Sequence, residues 1–128
     1  MKNKIFPLFL LFLLITSSCS KKLDGISFSD NPYDNDYLGP RVVKIDNIIR
    51  DTVGLDMNKI YYSRTYDNYD GVRLYRNGTL FSTHYKGIAY PPYFADQYAV
   101  PGATYTYKLI MYCGSGDTES DPVTFATP

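Results

Sequence analysis

The chain has 128 residues, 45% of them hydrophobic, with 13 basic and 13 acidic side chains and a formal net charge of zero. That length holds one domain and excludes a multidomain enzyme or a long repeat array. The charge balance argues against a nucleic-acid partner, which calls for a basic excess. The one histidine, His84, excludes two-histidine metal sites, and Tyr is the compositional outlier at 14 residues against no Trp.

Lys2 and Lys4 make a positive start, and no charge follows from Ile5 to Ser18. Those 14 residues are shorter than the roughly 18 that a spanning helix needs. The small residues Thr16-Ser17-Ser18 then lead into Cys19, the layout of a bacterial secretory signal over residues 1–18. The junction resembles the lipobox of bacterial lipoproteins, with Thr16 where Leu is usual and with Leu14 and Ile15 just upstream. The resemblance implies a diacylglyceryl group on the Cys19 thiol, cleavage before Cys19, and acylation of the new amino group. Two or more chains give stable membrane attachment where one gives only marginal binding. In the same family Ser rather than Asp after the Cys implies the outer membrane, and Ser20 stands there. The mature chain then keeps 11 basic residues (13 less Lys2 and Lys4) against 13 acidic, a side-chain charge of −2. With Cys19 spent on lipid, Cys113 is expected to be a lone thiol without an intramolecular disulfide.

Residues 19–39 read as the lipidated Cys19 followed by a tether, Ser20 to Gly39, which is rich in Asp, Asn, Ser and Gly without apolar period. About 20 flexible residues span about 25 Å, enough to hold a domain clear of lipid headgroups. Asp30, Asp34 and Asp36 suggest calcium, but Tyr37 and Leu38 follow where further ligands and Gly belong. In the Tyr66–Gly71 stretch, Tyr66 occupies the first ligand position. Neither stretch predicts a metal site, and no cofactor is expected.

From Pro40 onward apolar residues alternate in short runs broken by Gly, Pro, Asn and Asp, which predicts strands. Seven are expected: Arg41–Ile49, Lys59–Tyr66, Gly71–Arg76, Thr79–Tyr85, Phe94–Val100, Tyr105–Cys113 and Val123–Ala126. Asn77-Gly78 predicts a type I′ hairpin turn between the third and fourth. In the sixth, Tyr105, Tyr107, Leu109, Met111 and Cys113 share one face, and Lys108 lies on the other, so the first face should be the core side. Val72, Leu74, Val43, Ile45, Ile60, Tyr62, Val123 and Phe125 complete the expected core, with Arg73 and Tyr75 outward. Seven short strands at this spacing predict an all-β, seven-stranded antiparallel β-sandwich.

The third strand and its turn, Val72-Arg73-Leu74-Tyr75-Arg76-Asn77-Gly78, and the run Pro101-Gly102-Ala103-Thr104-Tyr105-Thr106-Tyr107 carry a further resemblance, with Gly114-Ser115-Gly116, Glu119-Ser120 and Pro122 after them. Residues 40–128 resemble a fibronectin type III domain of the bacterial kind, an immunoglobulin-like sandwich. The resemblance implies a tyrosine corner at Tyr105, its hydroxyl bonded to nearby backbone between the fifth and sixth strands. Tyr62 stands where the family's second-strand Trp belongs. No Arg-Gly-Asp triplet occurs, so integrin binding is not implied.

Catalysis is not expected. His84 lies on the fourth strand, where it reads as a lone surface histidine, and neither a Gly-x-Ser-x-Gly elbow nor a glycine-rich phosphate loop is present. The stretch Tyr85–Phe94 stands out, because Pro91-Pro92 stiffens a loop flanked by Tyr90, Tyr93 and Phe94. Rigid aromatics order cheaply and suit recognition, so these three form a candidate partner-binding patch; the plainer alternative is that they cover a sandwich edge. Asn77-Gly78-Thr79 matches an N-glycosylation acceptor, and Asp51-Thr52-Val53 resembles a bacterial O-glycosylation sequence with Thr52 as acceptor. The reading is an outer-membrane lipoprotein, held by membrane lipid on Cys19, that presents one sandwich to a protein or glycan. The alternative is a structural accessory of a multiprotein secretion or uptake complex in the envelope.

Overall fold

Short alternating runs separated by turn residues give eight strands and no helix in the computed structural model, which describes residues 30–128. They are β1 (Val43–Asp51), β2 (Met57–Arg64), β3 (Gly71–Arg76), β4 (Thr79–Tyr85), β5 (Tyr93–Asp96), β6 (Thr104–Cys113), β7 (Gly116–Glu119) and β8 (Val123–Ala126). Among the described residues they form two antiparallel sheets. One has the order β1-β2-β5, and the other runs β4-β3-β6-β7 with β8 also on β6. The arrangement is that of a β-sandwich, with the core between the sheets.

The count exceeds the expected seven by β7. Its sequence, Gly-Asp-Thr-Glu, has no apolar alternation, and only its ladder to Ile110–Cys113 of β6 makes it a strand. β8 continues along the same edge, opposite Thr104–Tyr107. Between them the Leu109 N–H donates to Ser120 Oγ and the Ser120 N–H to the Leu109 carbonyl, both at 2.9 Å. Pro122 then offers no N–H to the ladder. β5 is shorter than expected because the Asp96 side chain takes the Tyr98 N–H at 3.0 Å and turns the chain. β2 begins two residues earlier than expected, at Met57.

The hairpin between β3 and β4 has the predicted turn, with φ 51° at Asn77 and 81° at Gly78. A Cβ on Gly78 would meet nothing within 4 Å, so the constraint there is conformational rather than steric. Gly78→Val should therefore cost about 1–2 kcal/mol. The expected readout is a lower urea midpoint with an unchanged denaturant slope.

Val43, Ile48, Ile60 and Phe94 of the first sheet pack against Val72, Leu74, Tyr107, Leu109 and Met111 of the second. The predicted face of β6 is buried from Tyr107 to Cys113, while Tyr105 sits at its half-buried end. Ile45, Tyr62, Val123 and Phe125 line the rim of the core instead of filling it. Ile48 enters the core because a bulge between Ile45 and Asn47 reverses the parity of β1. Cys113 lies on the inner face as expected, but it is disulfide-bonded, which corrects the expectation of a lone thiol. The other cysteine of the sequence, Cys19, lies outside the described residues, as does the whole 1–18 leader.

The folded body begins before Pro40. Pro32 is buried, and Tyr33 and Tyr37 pack against the core. The Tyr33 hydroxyl donates to the Asn68 carbonyl at 2.6 Å, and its ring meets Tyr66 edge-on at 5.9 Å. Asp34, one of the three acidic residues weighed for calcium, accepts the Asn31 side-chain amide at 3.2 Å within a turn. The expected tether thus includes a stretch, Asn31 to Tyr37, that docks on the sandwich.

Candidate binding pocket

The ends of β2 and β4, the β2–β3 connection and the β4–β5 connection meet at the end of the sandwich where the chain enters β1. Gly87, at φ 84°, lets the chain leave β4 sharply, and Pro91-Pro92 keep the following segment out of any ladder. Between these elements lies a pocket of about 270 Å³ lined by Tyr62, Arg64, Tyr69, His84, Tyr90 and Pro91 among others.

His84 forms the pocket floor and corrects the expectation of a surface histidine, since it is 9% exposed. Its ring stacks on Tyr90 at 4.1 Å and on Phe94 at 3.7 Å. Its Nδ1 is 3.0 Å from the Tyr62 hydroxyl. Burial lowers the His84 pKa to about 4, so the imidazole is neutral at pH 7. Burial also raises the Tyr62 pKa, although the nearby Arg64 charge opposes that rise. A neutral imidazole bonded to a neutral phenol locks the ring stack and presents no ionised base.

Tyr69 forms the opposite wall. The Arg64 guanidinium lies 4.4 Å from its ring centroid and the Lys86 ammonium 5.0 Å. Lys86 also donates to the Asp67 carbonyl at 2.6 Å. Among the described residues, neither cation takes part in an ion pair with a carboxylate. The pocket therefore combines aromatic walls with the unpaired Arg64 charge, while Lys86 reaches the Tyr69 ring without lining the recess.

The three rings read from sequence as one patch do not stay together. Tyr90 lines the pocket with 38% of its surface exposed, one face against His84. Phe94 is 0% exposed and belongs to the core. Tyr93 faces the other side of β5, paired with Tyr61 at 5.2 Å and with the Lys59 ammonium 4.8 Å from its ring. Neighbours on a strand point to opposite faces, and that alternation divides the trio. Sequence reading missed Arg64, Tyr69 and Lys86; Arg64 lies just before the Tyr66–Tyr69 turn, whereas Lys86 follows β4 and carried no local signal.

The other singled-out residues lie apart from the pocket. Tyr105 accepts the Val100 N–H on its hydroxyl at 3.0 Å and so ties the β5–β6 connection to β6. Thr52 is exposed just after β1. Its neighbour Asp51 takes the Val53 N–H at 2.9 Å and is held below the usual carboxylate range by its bond to Lys59.

A second polar cluster joins the sheets at the opposite end. Asp96 is fully buried on β5 and takes Arg76 Nη1 on both oxygens at 3.0 Å. The Tyr107 hydroxyl donates to it at 2.7 Å, and burial pushes that phenol's pKa well up. Asn58 then donates to the Tyr107 hydroxyl at 3.1 Å and to Thr127 Oγ1 at 3.0 Å. With its partners satisfied, this cluster serves as a pin between sheets.

The fold and pocket thus define an all-β, two-sheet protein with an aromatic, cationic recess at one end. Compared with known proteins, the chain matches no family model, no curated protein and no solved structure.

Proposed function

We propose that this chain is an exported lipoprotein, anchored in the outer membrane through Cys19, that presents one fibronectin type III-like sandwich as a binding module for a protein or glycan. The domain assignment draws support from the two antiparallel sheets and from the Tyr105 hydroxyl bonded to upstream backbone after Pro101-Gly102. The anchor is supported by the charged start, uncharged run and small residues before Cys19. The Cys113 disulfide stands against this anchor if its partner is Cys19, since one sulfur cannot hold both lipid and a disulfide.

The single observation that carries the binding role is the pocket between Tyr69 and Tyr90. Rigid aromatic walls around a concave, largely preformed site are what recognition of a small group requires. The test is binding of the detergent-extracted lipoprotein to arrays of glycans and surface proteins, with a Tyr69→Ala/Tyr90→Ala variant beside it. The variant should keep its fold by circular dichroism and lose the bound ligand. Undiminished binding by the folded variant would overturn the pocket's role.

A second reading, as an accessory of an envelope complex, rests on the far end of the sandwich. Val53 and Tyr98 are 88% and 75% exposed there, on the β1–β2 and β5–β6 connections. The Arg50 Nη1 bond to the Ala99 carbonyl, at 2.9 Å, links these two regions. Clustered exposed apolar residues suit a protein contact.

A further inference from the structure

This inference rests on the binding-module reading and narrows it to one ligand chemistry. We propose that the pocket takes a sugar bearing a carboxylate, of the hexuronic or sialic acid class. Three features of the recess converge on that chemistry.

The first is charge. Arg64 and Lys86 flank one ring, Tyr69, and among the described residues neither has a carboxylate partner. Of the two, Arg64 lines the recess, so an anion bound there meets its guanidinium and supplies the missing counter-charge. The guanidinium fork matches a planar carboxylate through two parallel N–H bonds, which a spherical or tetrahedral anion matches less well.

The second is shape. Pockets for drug-sized ligands run from about 300 Å³ upward. At about 270 Å³ this recess falls just under that range, a size for a small group such as a single sugar ring. Pro91 and Pro92 make a rim without N–H groups, so the entrance does not close by strand pairing.

The third is the balance of surfaces. Tyr90 has one face locked on His84 and keeps a substantial part of its surface open. An open phenol ring offers a flat apolar surface for the C–H face of a pyranose. The Tyr62 and His84 polar atoms on the floor bond to each other, so the floor is satisfied without ligand. Polar recognition is then concentrated at Arg64, where the carboxylate would sit.

The test titrates the full lipoprotein in detergent with glucuronic acid, N-acetylneuraminic acid, glucose and inorganic phosphate, reading amide shifts by NMR. An acidic sugar should bind at least about 10-fold more tightly than glucose, which corresponds to about 1.4 kcal/mol. Added salt should narrow that gap, because Arg64 is exposed. Arg64→Gln should abolish the preference, Arg64→Lys should restore part of it, and Tyr90→Ala should weaken both sugars together. Equal binding of acidic and neutral sugar would overturn the inference, as would phosphate binding as tightly as the acidic sugars. So would absence of any shift with either acidic sugar at tens of millimolar. None of these failures touches the broader reading, which falls only if array ligands bind the folded Tyr69→Ala/Tyr90→Ala variant undiminished.

Discussion

Asp96→Ala should lower the melting temperature by about 10–20 °C. The carboxylate is fully buried and accepts from Arg76, Tyr107 and the Tyr98 backbone. Its removal strands the Arg76 guanidinium and the Tyr107 hydroxyl together. Breaking a buried pair by deleting one partner costs about 3–5 kcal/mol. The Arg76 side chain is 26% exposed, so water reaches part of it and the lower end applies. For a domain of this size each kcal/mol shifts the midpoint by about 4–8 °C. Asp96→Asn keeps the shape and an acceptor but loses the charge, and should fall between Asp96→Ala and wild type. An Asp96→Ala midpoint equal to wild type would show that the cluster does not pin the sheets.

The second large effect is in pH. His84 is buried and its pKa is lowered to about 4 from an unfolded value of 6.5. Between those values the unfolded chain binds a proton that the folded chain refuses. Stability is therefore full above pH 6.5 and falls as the pH drops toward 4, by about 3 kcal/mol. Two carboxylates lowered by lysine partners act from pH 4.5 downward for Glu119 and from 3.8 downward for Asp51, at and below the foot of that window. Their contributions are present above their unfolded values and are lost as the pH falls through their lowered folded ones. His84→Phe should flatten stability between pH 6.5 and 4.5 in urea titrations, while the wild type slopes. A wild-type curve already flat over that range would contradict the buried, neutral histidine.

The fold class was legible because the strands alternate and the turns carry their own chemistry. Asn77-Gly78 and the alternation from Tyr107 to Cys113 read directly into φ values and burial. What escaped was set by tertiary context. β7 has no hydrophobic signature and exists through pairing to β6. Ile48 reached the core through a bulge that a period-two reading passes over. Asp96 and Asn58 are absent from the expected core, yet they are buried because Arg76, Tyr107 and Thr127 satisfy them.

The pocket was half legible. The Pro91-Pro92 loop and Tyr90 marked its place, but grouping Tyr90 with Tyr93 and Phe94 took sequence proximity for a shared face. The histidine expected at the surface holds the floor because Tyr90 and Phe94 close over it. Arg64 and Lys86 come from separate strand ends, and only the pairing of β3 with β4 and the turn at Tyr69 bring both to one ring.

The central claim is a binding sandwich held to the outer membrane by lipid on Cys19. Intact mass spectrometry of the unreduced, detergent-extracted protein tests it most directly, because lipid and disulfide compete for one sulfur atom. The account predicts a chain beginning at Cys19 and carrying a thioether-linked diacylglyceryl group and an N-acyl chain. A chain that still begins at Met1, or one whose Cys19 is joined to Cys113 by a disulfide, would contradict it.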